Sequence, residues 1–183
     1  DNMMVAFRDS SGIRPLALGS FEDGWAVSSE TCGLDIIGAN YEREVRPGEL
    51  VIITKDGIES RQLAEGTEKL DIFEYVYFPR HDSVLYGETV NEVRRRIGQE
   101  LAVEHGIPYD HSNNVLVVPV PDTSGPEAEG YAESLGLFHR QAIIKNRYIG
   151  RTFMQPTDKA RQNQLRRKHN IIKTSVEGKD LIF

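Results

Sequence analysis

The most constraining feature of this sequence is an unbroken apolar run, Val115-Leu116-Val117-Val118-Pro119-Val120. A strand that is apolar at successive positions has no wet face, so it must lie in a sheet covered on both sides. The residues downstream agree. Pro126 suits the first turn of a helix, Glu127 to Leu135 continue it, and Gly136 closes it. Phe138 to Ile144 then reads as the next strand. Strand, loop, helix and strand within about 30 residues make a βαβ unit, and hence a parallel sheet.

Upstream of that unit, Thr89-Val90-Asn91-Glu92 is a capping box, followed by Val90, Val93, Ile97 and Leu101 at helical spacing. Arg94, Arg95 and Arg96 fall mostly off that stripe, which assigns them to an exposed helix face. Up to about Leu70 the pattern is different. Met3 to Phe7, Trp25 to Ser28 and Leu50 to Thr54 are short strand-like runs separated by Gly-, Pro- and Asp-rich turns. Lys55-Asp56-Gly57, ahead of Ile58 to Leu63, signals a hairpin with a tight primed turn. Helices long enough for parallel crossovers are missing from this half, so it reads as antiparallel sheet. The two halves meet at a seam near Phe78 to Gly87, and there are no internal repeats.

Charge is unevenly placed. The whole chain carries −6, yet between Arg140 and Lys173 there are ten basic residues against one acid, Asp158. Such a segment on an acidic body suits a compact anion, a phosphorylated small molecule or a nucleic acid, or else forms a solvated helix face. No apolar run approaches the roughly 20 residues of a membrane helix, and the opening residues are not those of a signal peptide. The one cysteine, Cys32, excludes an intrachain disulfide and a thiolate metal cluster, which points to a reducing, cytoplasmic setting.

Two loops leave the carboxyl ends of the expected parallel strands, where open sheets bind ligands. Pro121-Asp122-Thr123-Ser124-Gly125-Pro126 offers small hydroxyls and amide groups at a helix start, suited to an anion or a hydrated Mg²⁺, although a structural N-cap explains Thr123 or Ser124 equally well. Lys145-Asn146-Arg147-Tyr148-Ile149-Gly150-Arg151-Thr152-Phe153 puts three cations, two aromatics and a glycine in nine residues. Forked guanidiniums grip phosphate oxygens, so a cationic loop closing over a polyphosphate is the favoured reading and a base-stacking nucleic-acid arm its competitor.

Several of these segments carry a family resemblance. Met4 to Asp9, Gly12-Ile13-Arg14-Pro15-Leu16, Val27 to Glu30 and Arg46-Pro47-Gly48-Glu49 resemble the later part of a class II, N-terminal-nucleophile, glutamine amidotransferase domain. Phe73 to Phe78 with Arg80, Asp82 and Ser83, Val120 to Ser124, and the Lys145–Phe153 loop resemble the glutamine phosphoribosylpyrophosphate amidotransferases (amidophosphoribosyltransferases). The similarity runs in order over nearly the whole chain. It implies an α+β and α/β fold: the C-terminal part of a glutaminase sandwich over 1–80, joined to the N-terminal part of a type I phosphoribosyltransferase parallel sheet over 81–183.

The full-length enzyme of this family is a pentosyltransferase that converts phosphoribosylpyrophosphate, glutamine and water to 5-phosphoribosylamine, glutamate and pyrophosphate, the first committed step of purine biosynthesis. By the resemblance, Lys145, Arg147 and Arg151 bind the pyrophosphate, and Thr123 lies near its Mg²⁺. Tyr77, Tyr148, Phe153 and Met154 line the ammonia path. The expected partners are phosphoribosylpyrophosphate, glutamine, purine nucleotide inhibitors and further copies of the full-length chain, without nucleic acid or membrane. Some members hold an iron–sulfur cluster; Asp71 stands where one cluster cysteine falls, which argues against a cluster.

The departures shape the expectation as much. The family's nucleophile is an N-terminal cysteine, whereas residue 1 is Asp, and Cys32 sits inside the chain as a small core residue. Gly178 to Phe183 resembles the strand leading into the acidic phosphoribosyl-binding loop, which is not in this sequence. The chain is therefore expected to be part of such an enzyme and inactive alone; the alternative is a non-catalytic relative binding nucleotide, a partner chain or nucleic acid. Among the remaining polar residues, Arg8 and Asp9 read as an ion pair holding a turn. His81, His105, His111, His139 and His169 are scattered without metal spacing, and Trp25 reads as core.

Overall fold

The computed structural model describes residues 3–107, 114–149 and 157–183. The chain forms two compact units, residues 1–93 and 94–183.

The first unit contains β1 (Met3–Phe7), β2 (Ala17–Phe21), β3 (Gly24–Ser28), α1 (Thr31–Ile36), β4 (Asn40–Glu44), β5 (Glu49–Thr54), β6 (Gly57–Gln62), α2 (Ile72–Val76), β7 (Val84–Leu85) and β8 (Glu88–Thr89). Two antiparallel sheets, β1-β5-β6 and β3-β2-β4, share one apolar cluster of Ala6, Leu18, Val45, Val51 and Ile53. Trp25 packs against it from the edge. On the other face of the second sheet α1 packs through Leu34. It can do so because β2 has Gly19 at the contact: a Cβ there would lie 2.9 Å from the Leu34 side chain. The antiparallel reading of this half therefore holds.

Two details of that reading are corrected. The β5–β6 hairpin forms, with Thr54 opposite Gly57, but its two loop residues are Lys55 and Asp56 and neither has positive φ. The positive φ falls on Gly57 at 133°, so the turn is not a primed one. Arg8 does not pair with Asp9, whose carboxylate accepts from the Ser11 N–H. Instead the buried Arg8 guanidinium donates to the carbonyls of Arg14 (2.9 Å), Val45 (2.9 Å) and Gly12 (2.6 Å) and pairs with Glu44 at 3.3 Å. A planar five-donor group can close several strand ends at once, which a local ion pair cannot.

The second unit takes up the helix α3 (Val90–His105) from Arg94 onward, then β9 (Val115–Val117), α4 (Gly125–Leu135), β10 (Phe138–His139), β11 (Ile143–Lys145), α5 (Asp158–Lys168), β12 (His169–Ile171), α6 (Lys173–Val176) and β13 (Asp180–Ile182). β9 is the central strand of a parallel sheet in the order β10-β9-β13. Its alternate residues serve two cores. Val117 packs with Ala102, Tyr131, Ala132 and Leu137 under α3 and α4, while Leu116 and Val118 pack with Ala142 on the opposite face. The unbroken apolar run is thus explained, and Gly136 ends α4 at φ 65° as expected of a C′ glycine.

Here too the expectations need correction. The run Phe138 to Ile144 is two strands in different sheets: β10 continues the parallel sheet, whereas β11 pairs antiparallel with β12 in a separate ribbon. The break is at Arg140 to Ala142, where the Arg140 N–H still donates to Val117 but the Ala142 carbonyl accepts from Ile172. Arg94, assigned to an exposed face, is 1% exposed, and its guanidinium lies 3.7 Å from the Glu127 carboxylate. The cause is how closely α3 and α4 approach. A Cβ on Gly98 or Gly130 would fall 2.0 Å from a carbonyl oxygen of the other helix, so more of α3 is covered than its apolar stripe alone.

Candidate functional site

The β9–α4 turn is built by its own backbone. Ser124 precedes α4, and its hydroxyl accepts from the Val120 N–H at 2.7 Å and donates to the Val120 carbonyl at 2.9 Å. It therefore closes the turn and caps none of the α4 amides. Pro126 in the first turn supplies no N–H, and the positive end of the α4 dipole faces a half-buried Thr123 and an exposed Asp122.

Across from this turn stands Lys145, the last residue of β11, opposite His169 of β12. Its ammonium donates to Asp122 Oδ2 at 2.5 Å. The chain then makes a tight bend. The Asn146 N–H donates to the Lys168 carbonyl at 2.6 Å, and the Asn146 side-chain oxygen accepts from the Tyr148 N–H at 3.0 Å. Arg147 and Tyr148 project from that bend, Tyr148 fully exposed. A cleft separates it from α5, lined by Asn146, Tyr148, Ile149, Ala160, Gln164 and Arg167. α5 itself buries no residue and ends on Arg166, Arg167 and Lys168.

Of the residues singled out in the sequence, Lys145 and the Thr123 turn are brought together, and Arg147 and Tyr148 continue from Lys145. Tyr77 belongs to the other unit, where it ends α2, exposed and edge-on to Phe78 at 6.0 Å. Arg151, Phe153 and Met154 lie outside the described residues. One premise is corrected: the cationic loop leaves an antiparallel ribbon that is only half-buried, not a buried parallel strand. Sequence reasoning also missed Asp122 as the partner of Lys145. The available signal was an acid inside a turn read as anion-binding, which is out of place unless a cation meets it.

The donor set bears on magnesium. Among the described residues no group of three or more His, Cys, Asp or Glu side chains could hold a metal ion. The turn presents one hydroxyl and one carboxylate, enough for a hydrated Mg²⁺ carried in by a polyphosphate but not for a cation bound by protein alone. In the first unit, Cys32 is buried in α1, and that burial pushes its thiol pKa up, the reverse of an activated nucleophile. Asp71 caps α2 by accepting from the Phe73 N–H at 3.0 Å. No described helix is long and apolar enough to cross a membrane.

No family model matches the chain. Curated relatives do. An amidophosphoribosyltransferase of Mycobacterium leprae is 45% identical over 182 residues, covering 100% of this chain and 32% of that protein. One from Synechococcus elongatus is 49% identical over 177 residues, covering 94% of this chain and 35% of that protein. Among solved structures, a glutamine phosphoribosylpyrophosphate amidotransferase from Bacillus subtilis, complexed with ADP and GMP, superposes with a TM-score of 0.84 at 39% identity, over 98% of this chain and 39% of the other. The chain spans about a third of the length of the curated relatives it matches. By sequence and by fold the chain is similar to about a third of an amidophosphoribosyltransferase.

Proposed function

We propose that this chain carries the pyrophosphate-gripping part of an amidophosphoribosyltransferase, joining the end of a class II glutaminase sandwich (residues 1–80) to the start of a type I phosphoribosyltransferase sheet (residues 81–183). The whole enzyme then converts phosphoribosylpyrophosphate, glutamine and water to 5-phosphoribosylamine, glutamate and pyrophosphate, in the cytoplasm. One observation carries the reading: the Lys145 ammonium meets the Asp122-Thr123 turn at the carboxyl end of the central parallel strand, where such sheets bind their ligands.

As the C1–O bond of the sugar breaks, negative charge grows on the departing pyrophosphate. Lys145, Arg147 and Arg151 supply fixed and forked positive charge to that oxygen cluster. Thr123 and Asp122 would hold a hydrated Mg²⁺ carried in with the substrate, whose charge would offset that of the phosphates. Tyr77, Tyr148, Phe153 and Met154 are assigned to the ammonia path by the resemblance alone. The glutaminase nucleophile is a group other than the buried Cys32.

The test is a calorimetric titration of the 183-residue chain with phosphoribosylpyrophosphate, with and without Mg²⁺. Mg²⁺-dependent binding, weakened about tenfold by Lys145→Ala or Arg151→Ala, is the expected result; one lost charge-assisted contact is of that size. Equal affinity in the variants would refute the assignment. The exposed basic α5 keeps nucleic acid as the second reading, and tight RNA or DNA binding with a steep salt slope would favour it.

A further inference from the structure

An anion site that already holds a carboxylate poses a question of charge. Asp122 lies in the turn offered to the phosphates, and its negative charge opposes any free anion arriving there. Yet it is tied to the ammonium that a phosphate oxygen would need, by a contact of 2.5 Å. Both partners are held from behind. Lys145 is fixed by its pairing in the β11–β12 ribbon, and Asp122 by the Ser124–Val120 bonds that close the turn. The contact itself is at the surface, with the Lys145 side chain 29% and the Asp122 side chain 54% exposed. An exposed ion pair contributes little, so a more highly charged anion can displace it at small cost.

We propose, on the reading of the site given above, that Asp122 is a stand-in for the polyphosphate. Its carboxylate holds the Lys145 ammonium in position before the ligand arrives and yields it to a phosphate oxygen when the ligand binds. The released carboxylate then faces the divalent cation instead of the ammonium. Asp122 is in this way a specificity-determining residue. It repels a metal-free polyphosphate and tolerates the cation-loaded form, whose excess negative charge is already reduced. The Lys145 side chain keeps a partner throughout and does not wander into solvent between turnovers.

Inorganic pyrophosphate is the probe. The full chain is titrated with it by calorimetry, once with a chelator and once with excess Mg²⁺, at constant ionic strength. Asp122→Asn and Asp122→Ala remove the charge at an exposed position, and their melting curves verify the fold. Glu129→Gln, on the exposed side of α4, controls for the loss of any one negative charge. Both Asp122 variants are expected to bind metal-free pyrophosphate about three- to fivefold more tightly, the scale of one exposed pair, and to lose an equal part of the Mg²⁺ advantage. Glu129→Gln should change neither by as much as twofold.

If wild type and both Asp122 variants bind the metal-free anion equally, or the variants bind it more weakly, the stand-in role is overturned while the phosphate-site reading survives. An equal gain in Glu129→Gln overturns it as well. If no variant binds pyrophosphate in either form, both readings fall together. Binding by the Asp122 variants where wild type shows none supports both.

Discussion

Glu49 offers the sharpest test of the energetics. It is fully buried between the two sheets of the first unit, and burial by itself would raise its pKa. Against this, the Arg43 guanidinium donates to both carboxylate oxygens at 2.7 and 2.9 Å, the Ser60 hydroxyl donates as well, and the Arg46 N–H adds a bond of 2.7 Å. The bonds win, and the carboxyl is held at about 2, below the ordinary 4.5. A gap of that size corresponds to about 3 kcal/mol of folding stability. Because Arg43 is 40% exposed, solvent screening reduces this to about 2 kcal/mol. A depressed carboxylate stabilises above its unfolded pKa and stops doing so as pH falls through the folded one. The contribution is therefore complete above pH ~5 and gone near pH ~2. Glu49→Gln should lower stability by about 2 kcal/mol at pH 7, and the gap to wild type should narrow to about a quarter of that at pH ~2.5. Urea unfolding followed by the fluorescence of Trp25, the chain's single tryptophan, reads the first unit alone. A gap that stays the same at both pH values would refute the reasoning.

Two further outcomes rest on the packing. Gly130→Ala puts a methyl 2.0 Å from the Arg95 carbonyl, and should cost the second unit about 2–3 kcal/mol in urea or thermal unfolding; a neutral result would mean that α3 and α4 are not in contact there. Arg8→Met leaves three carbonyls without their charged donor and should lower the stability of the first unit by about 3 kcal/mol, again read from Trp25.

How far the structure was legible in advance depended on distance along the chain. The central strand, the helix ending at Gly136 and the β5–β6 hairpin were readable because neighbours in sequence carry them: an unbroken apolar run, a capping glycine and an Asp-Gly turn signal. The resemblance to the amidophosphoribosyltransferases was readable for a similar reason, since its motifs are short contiguous strings. Less local features escaped. Periodicity assigned Arg94 to solvent because it counts one helix at a time, and cannot see a second helix closing over Gly98. The run from Phe138 to Ile144 looked like one strand because nothing in its side chains says that Ala142 answers to Ile172.

The amino-acid order alone determined that a doubly covered parallel strand, a helix and a lysine- and arginine-rich loop would come one after another, because each is a property of adjacent residues. Only the folded chain decided that Lys145 would reach across 23 positions to Asp122, and so that the turn proposed to bind an anion holds an internal anion of its own. Such a pairing depends on where two separate backbones come to rest, which no local pattern encodes.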